Sequence, residues 1–108
     1  MAQRVAEHVV RRRLFGHRQL LRVDLHGVSM FGAGDEKALI RWEWVEGIEV
    51  DHDSVVVRSA AATVTFPPQS FGLAADILAG ELRRAGLLQD RADVIHRLSG
   101  GPAGAGLG

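Results

Sequence analysis

From Gln19 onward apolar and polar residues alternate: Leu21, Val23 and Leu25 are separated by Arg22 and Asp24, the period of two that turns one face of a strand toward a core. His26-Gly27 interrupts the run and Val28-Ser29-Met30-Phe31 resumes it. Residues 19–31 therefore predict a hairpin in which Gly27 supplies the positive φ of a tight turn. Gly32-Ala33-Gly34-Asp35-Glu36 reads as the next loop. Ala38, Ile40 and Trp42 form a third alternating set, and Ile48 and Val50 form a fourth beyond a bend at Glu43 to Glu46. After the polar turn Asp51-His52-Asp53-Ser54, the stretches Val55-Val56-Val57 and Ala62, Val64, Phe66 predict two further strands rich in β-branched residues, with Ser59-Ala60-Ala61 between them.

The period then changes. Pro67-Pro68 ends the sheet, because proline donates no ladder hydrogen bond, and Ser70 stands where a helix N-cap would. Phe71, Leu73, Ala74, Ile77, Leu78, Leu82 and Ala85 recur at three- and four-residue spacing and predict a helix whose apolar stripe covers the core. Asp76 lies early and Arg83 and Arg84 late, as the helix dipole favours, and Gly86 is the expected stop. Asp90 is placed to cap a second, short helix through Val94, Ile95 and Leu98. Residues 4–15 fit two patterns. Val5, Ala6, Val9, Val10 and Leu14 suit a short helical stripe, whereas Val9-Val10 and Leu14-Phe15 suit an edge strand guarded by arginines.

These elements divide the chain into a basic N-terminal segment at 1–17, a β-rich domain at 18–87, a short helix at 88–98 and a glycine-rich tail at 99–108. The tail has too little side chain to bury and is expected to be disordered. The predicted class is mainly β with a C-terminal α-helix. Six or seven short strands in hairpin order make a strongly bent antiparallel sheet or partly open barrel, capped by one amphipathic helix.

With 108 residues the chain has room for one modest core. No apolar run is long enough to span a bilayer, and Met1 to His8 lack the apolar segment of a secretory signal. The absence of cysteine excludes disulfides and thiolate metal sites. The expected location is cytoplasmic, or peripheral at the inner membrane face. Net charge is zero but uneven: residues 1–22 carry six arginines against Glu7, a net +5, and the remainder sums to −5. Such a dipole steers partners without bearing on the fold.

Val23-Asp24-Leu25-His26-Gly27-Val28 resembles a hairpin of the bacterial PH-like domains, the broad family that includes GRAM and YokE-like domains. Ile40-Arg41-Trp42-Glu43-Trp44-Val45-Glu46-Gly47-Ile48 is similar to that family's strand ending in an aromatic and a tight turn, and Thr65-Phe66-Pro67-Pro68 is similar to its entry into the helix. The resemblance covers roughly residues 18–86. It implies a PH-like fold serving as a binding or oligomerising module, in some members at membranes, without catalytic residues. One position departs from it: where the family is usually polar and solvent-facing, this chain has Trp44.

Trp42 shares the inward parity of Ala38 and Ile40 and is expected in the core. Trp44 has the same formal parity, but a turn through Glu43 to Glu46 would rotate it outward. It then either anchors a protein interface, with Glu43 and Glu46 beside it, or covers the open end of the sheet. Arg11, Arg12, Arg13, Arg18 and Arg22 suit anionic lipid headgroups or, as a blander reading, a solvated edge balancing the acidic remainder. The blander reading is preferred because no amphipathic membrane helix accompanies them.

Nucleic acid is not expected, since no stacking aromatics are interleaved with the arginines. Adjacent residues of Asp51-His52-Asp53 point in different directions, which argues against a metal site. The histidines at 8, 17, 26, 52 and 96 are scattered, and no serine sits in a nucleophile elbow. Gly32-Ala33-Gly34 lacks the lysine and helix entry of a phosphate loop. The expectation is a non-enzymatic module without cofactor, metal or small-molecule substrate, whose partner is a protein or a second copy of the chain.

Overall fold

Two antiparallel sheets and a pair of helices make up the protein in a computed structural model, which describes residues 5–11, 18–32 and 35–100. The first sheet runs in sequence order through β1 (Val5–Arg11), β2 (Arg18–Asp24), β3 (Gly27–Gly32) and β4 (Asp35–Arg41). The second runs through β5 (Gly47–Asp51), β6 (Ser54–Arg58) and β7 (Thr63–Phe66). The sheets meet where β7 approaches β4 and β3, and they do not close into a barrel.

The period-two positions supply the inner faces: Leu21 and Val23 from β2, Val28 from β3, Ile40 from β4, Val55 and Val57 from β6, and Val64 and Phe66 from β7 are all buried. Of the two patterns open to residues 4–15, the strand is the one formed where the chain is described. β1 pairs with β2 from Val5↔Asp24 to Arg11↔Arg18, so the first sheet begins before Arg18. Ala6 is fully buried, because the added strand is itself covered by a helix. β4 starts at Asp35, inside the stretch expected to be loop. Its pairing with β3 slips by one residue between Met30 and Phe31, a bulge of the kind that bends a strand.

Gly27 is not needed for a positive φ. Among the described residues the left-handed ones are His52 and Asp53 between β5 and β6, Gln69 and Phe71 before the helices, and the glycines Gly72 and Gly100. Gly27 is required by close approach, since a Cβ there would lie 2.1 Å from the Ile40 carbonyl oxygen.

The helical roof also differs from the expectation. A 3₁₀ turn at Ser70–Gly72 contains Phe71 at φ 57°, and the first helix, α1, spans Ala75–Ala85. Ser70 does not cap it; the Ser70 hydroxyl donates to the Pro67 carbonyl at 2.7 Å, and the N-cap position is Ala74. Phe71 and Leu73 pack on the core edge from this turn.

With the helix beginning at Ala75, Leu78, Ala79, Leu82 and Ala85 define its buried face. Ile77 lies one residue, roughly 100°, off that face and is 53% exposed. A second helix, α2 (Leu88–Leu98), folds back on α1 and packs on β1, burying Val94, Ile95 and Leu98. Its N-cap position is Leu87, with Asp90 in the first turn rather than at the cap. Two helices therefore roof the structure, α1 over β5 and β6 and α2 over β1. Arg97 ties them with two hydrogen bonds to the Glu81 carboxylate, at 2.6 and 2.8 Å.

Candidate functional site

The site is built around the connection between the two sheets. Asp24 ends β2, and its Oδ1 accepts hydrogen bonds from the backbone N–H groups of His26 (2.8 Å) and Gly27 (3.0 Å), which shapes the β2–β3 turn. Trp42 leaves β4 and docks on that turn: its indole N–H donates to the Asp24 carbonyl at 2.8 Å and its backbone N–H to the His26 carbonyl at 3.0 Å.

Arg91 of α2 closes the other side, with its guanidinium 5.3 Å from the centroid of the Trp42 indole. The same side chain donates to the carbonyls of Ala85 at 2.8 Å and of Leu25 and Gly86 at 3.4 Å. Trp42 is 5% exposed, as its strand parity predicts.

Residues Trp42–Trp44 form a 3₁₀ turn, and two residues beyond the buried tryptophan the chain presents the other one. Trp44 is 54% exposed, the outward orientation expected from the bend. Arg41 lies across it, guanidinium 5.6 Å from the ring centroid, and also donates to the Glu43 carboxylate at 3.1 Å. Glu43 is held below the ordinary glutamate range, first by a backbone N–H of its own and then by Arg41. Glu46 is fixed through its main chain, its N–H donating to the Arg58 carbonyl at 2.7 Å. Its side chain is exposed and forms no ion pair within 4.0 Å among the described residues.

Glu43, Trp44, Val45 and Glu46 come together with Ser59, Ala60 and Ala61 around a groove of about 500 Å³. The pairing of β5 with β6 explains the second wall. Gly47 opposes Arg58, so the residues before Gly47 run alongside those after Arg58. Ser59 stiffens that wall: its Oγ accepts from the N–H of Ala62 at 3.0 Å and of Ala61 at 3.3 Å, and its own N–H donates to the Ala62 carbonyl at 2.9 Å. Sequence reasoning reached Glu43, Trp44 and Glu46 but not the Ser59–Ala61 wall, because small residues carry little pattern. The signal was in the register: once Asp51–Ser54 is read as the hairpin turn, counting outward sets Trp44 to Glu46 opposite Ser59 to Ala61.

The arginine candidates separate into two groups. Arg22 is engaged within the sheet, 2.8 Å from the Glu7 carboxylate and with its guanidinium 4.7 Å from the Phe31 ring centroid. Arg11 and Arg18 are direct cross-strand partners at the far end of β1 and β2, while Arg12 and Arg13 lie outside the described residues. A second cleft, of about 520 Å³, opens between Val5, Glu7 and Arg22 of the first sheet and Leu98 and Ser99 at the end of α2. Its two charged groups satisfy one another.

At the β5–β6 turn, His52 Nδ1 lies 2.6 Å from the Asp51 carboxylate, and both side chains are exposed. Among the described residues no three His, Asp or Glu side chains converge on a common point, and no helix is long and apolar enough to cross a membrane. No protein-family model matches the chain, and a comparison with curated proteins returns no match.

Proposed function

We propose that the chain is a non-catalytic, PH-like protein-interaction or self-association module of the cytoplasm that uses the Trp44 turn, with Glu43 and Glu46, and the neighbouring strand edges. The PH-like assignment is supported by a four-stranded and a three-stranded antiparallel sheet followed by C-terminal helices. It is also supported by the bond from Trp42 to Asp24, which joins two of the segments that resemble the family.

The observation that carries the functional reading is the contrast between the two tryptophans. Trp42 and Arg91 anchor the turn, yet Trp44 on the same turn remains half-exposed beside a groove. Large aromatic side chains held rigidly at the surface contribute heavily to protein interfaces. Light scattering across a concentration series, for the parent and Trp44→Ala, tests this together with capture of candidate partners. The reading expects Trp44→Ala to lower the association constant or abolish capture; a folded variant that behaves as the parent does in both assays rules it out.

A second reading, a peripheral module for anionic phospholipid at the inner membrane face, draws on the arginines at 11, 12, 13, 18 and 22. Its support is the β1–β2 register, which makes Arg11 and Arg18 cross-strand partners and so brings two of these arginines to one place in the sheet. Co-sedimentation with vesicles containing phosphatidylserine, compared with neutral vesicles, separates the two. Equal binding to both kinds of vesicle removes the lipid reading.

A further inference from the structure

We propose that the Trp44 groove takes a basic side chain, arginine or lysine, presented by an extended segment of a partner protein. This rests on the interaction-module reading and names the chemistry of the partner. From Trp42 to Val57 the chain has no lysine or arginine and five acidic residues, Glu43, Glu46, Glu49, Asp51 and Asp53. Arg58 answers Glu49 at 2.7 Å and Arg41 answers Glu43 at 3.1 Å. Glu46, on the groove rim, has no cationic partner within 4.0 Å among the described residues. Arg58 also feels the charge of Glu46, but Glu49 already holds it. With Arg41 and Arg58 counted, residues 41–58 still carry five acidic residues against two arginines, a net −3, which favours a cationic occupant over an anionic one.

The indole supplies the second half of the recognition. A guanidinium already lies over Trp44, donated by Arg41 from within the chain, and the ring is still 54% exposed. An incoming cation finds the exposed remainder of the indole together with the Glu46 carboxylate, which forms no ion pair within 4.0 Å among the described residues. That combination distinguishes arginine or lysine from an apolar side chain of equal length. Ala60 and Ala61 form an opposite wall without bulk, and Val45 adds apolar surface for the methylene stem. The volume of about 500 Å³ is within the range of pockets that bury small ligands, roughly 300–1,000 Å³.

The test is a titration of the full chain, labelled with ¹⁵N, with the end-blocked peptide Gly-Ser-Arg-Ser-Gly and with its counterpart carrying norleucine in place of arginine. The arginine peptide is expected to shift the Trp44 indole N–H and the amides of Glu46, Ala60 and Ala61 along a saturating curve. The norleucine peptide is expected to leave them in place. Glu46→Gln should weaken the arginine peptide roughly two- to fivefold, an effect that shrinks with added salt.

Equal shifts from both peptides, or none from the arginine peptide, overturn the proposal. Groove signals that move on simple dilution of the protein identify a second copy as the occupant and also overturn it, while leaving the interaction-module reading standing. If Trp44→Ala still impairs association or capture when the arginine peptide has no effect, this inference alone fails.

Discussion

The indole N–H of Trp42 donates to the main-chain carbonyl of Asp24, 18 residues earlier, at 2.8 Å, across the junction where the first sheet hands over to the second. Because Trp42 is 5% exposed, water does not readily replace that bond when it is removed. Trp42→Phe keeps most of the ring packing and deletes the donor. The expected cost is about 1–2 kcal/mol, a fall in Tm of roughly 4–16 °C for a domain of this size, measured by thermal melting. The same bond orients the turn that presents Trp44, so the variant should also shift the Trp44 indole N–H resonance. A melt that matches the parent means that the bond does not anchor the turn.

Two glycines should respond in opposite directions to the same added methyl. At Gly27 a Cβ would lie 2.1 Å from the Ile40 oxygen and 2.7 Å from the Arg41 Cα, both backbone atoms of the paired strand, so β3 and β4 must separate there. Gly27→Ala is expected to cost about 3 kcal/mol or more. Gly80, inside α1, has nothing within 4 Å of its would-be Cβ. Gly80→Ala is expected to stabilise by about 0.5–1 kcal/mol through helix propensity. Urea unfolding of both variants checks the pair, and destabilisation by Gly80→Ala would contradict the local geometry.

Much of this frame was legible from patterning because alternation is a local property of a strand. Trp42 and Ile40 share a parity and both are buried, and the outward turn of Trp44 follows from the break in that parity at Glu43. What escaped depends on contacts between distant segments or on unusual backbone. The start of α1 is set by Phe71 and Gly72, both at positive φ, and nothing about a phenylalanine announces a left-handed conformation. Ile77 fits the apolar spacing yet is exposed, because it stands roughly 100° from Leu78 and the face that packs runs through Leu78, Ala79, Leu82 and Ala85. Val5 to Arg11 fitted two periods, and the choice was made by β2 on one side and α2 on the other. Half of the candidate site was visible as an odd tryptophan, while its alanine wall became visible only through hairpin register.

The β5–β6 hairpin closes through His52 and Asp53, at φ 51° and 69°, the double positive-φ connection that usually contains Asn-Gly. An L residue with a Cβ is strained there, whereas glycine is not. Asp53→Gly is expected to stabilise by up to about 1 kcal/mol, the relief of strain being partly offset by the greater entropy of the unfolded chain. A rise of a few degrees in Tm is the expected reading. A fall in Tm would mean that the Asp53 side chain contributes more to the turn than its backbone conformation costs.

His8 gives the fold a dependence on pH whose sign can be worked out. Its ring is half-buried on β1, 5.4 Å from the Phe71 ring, and Nδ1 accepts the Phe71 backbone N–H at 3.2 Å. Desolvation by burial lowers its pKa from the ordinary 6.5. The folded state therefore prefers the neutral ring, and the unfolded chain takes up the proton first. Stability from this group is fully present above about 6.5 and is lost as pH falls through that value toward the lower folded-state pKa, below which the loss levels off. Protonation at Nδ1 also removes the acceptor that holds Phe71, whose φ of 57° needs such support. Unfolding free energies measured by urea from pH 7.5 down to pH 5 should fall in the parent and fall less in His8→Gln, the difference isolating this histidine from the other four. Protection of the Phe71 amide, measured against its intrinsic exchange rate at each pH, should fall over the same interval in the parent. Parallel pH profiles for the two proteins would show that His8 titrates alike in the folded and unfolded states.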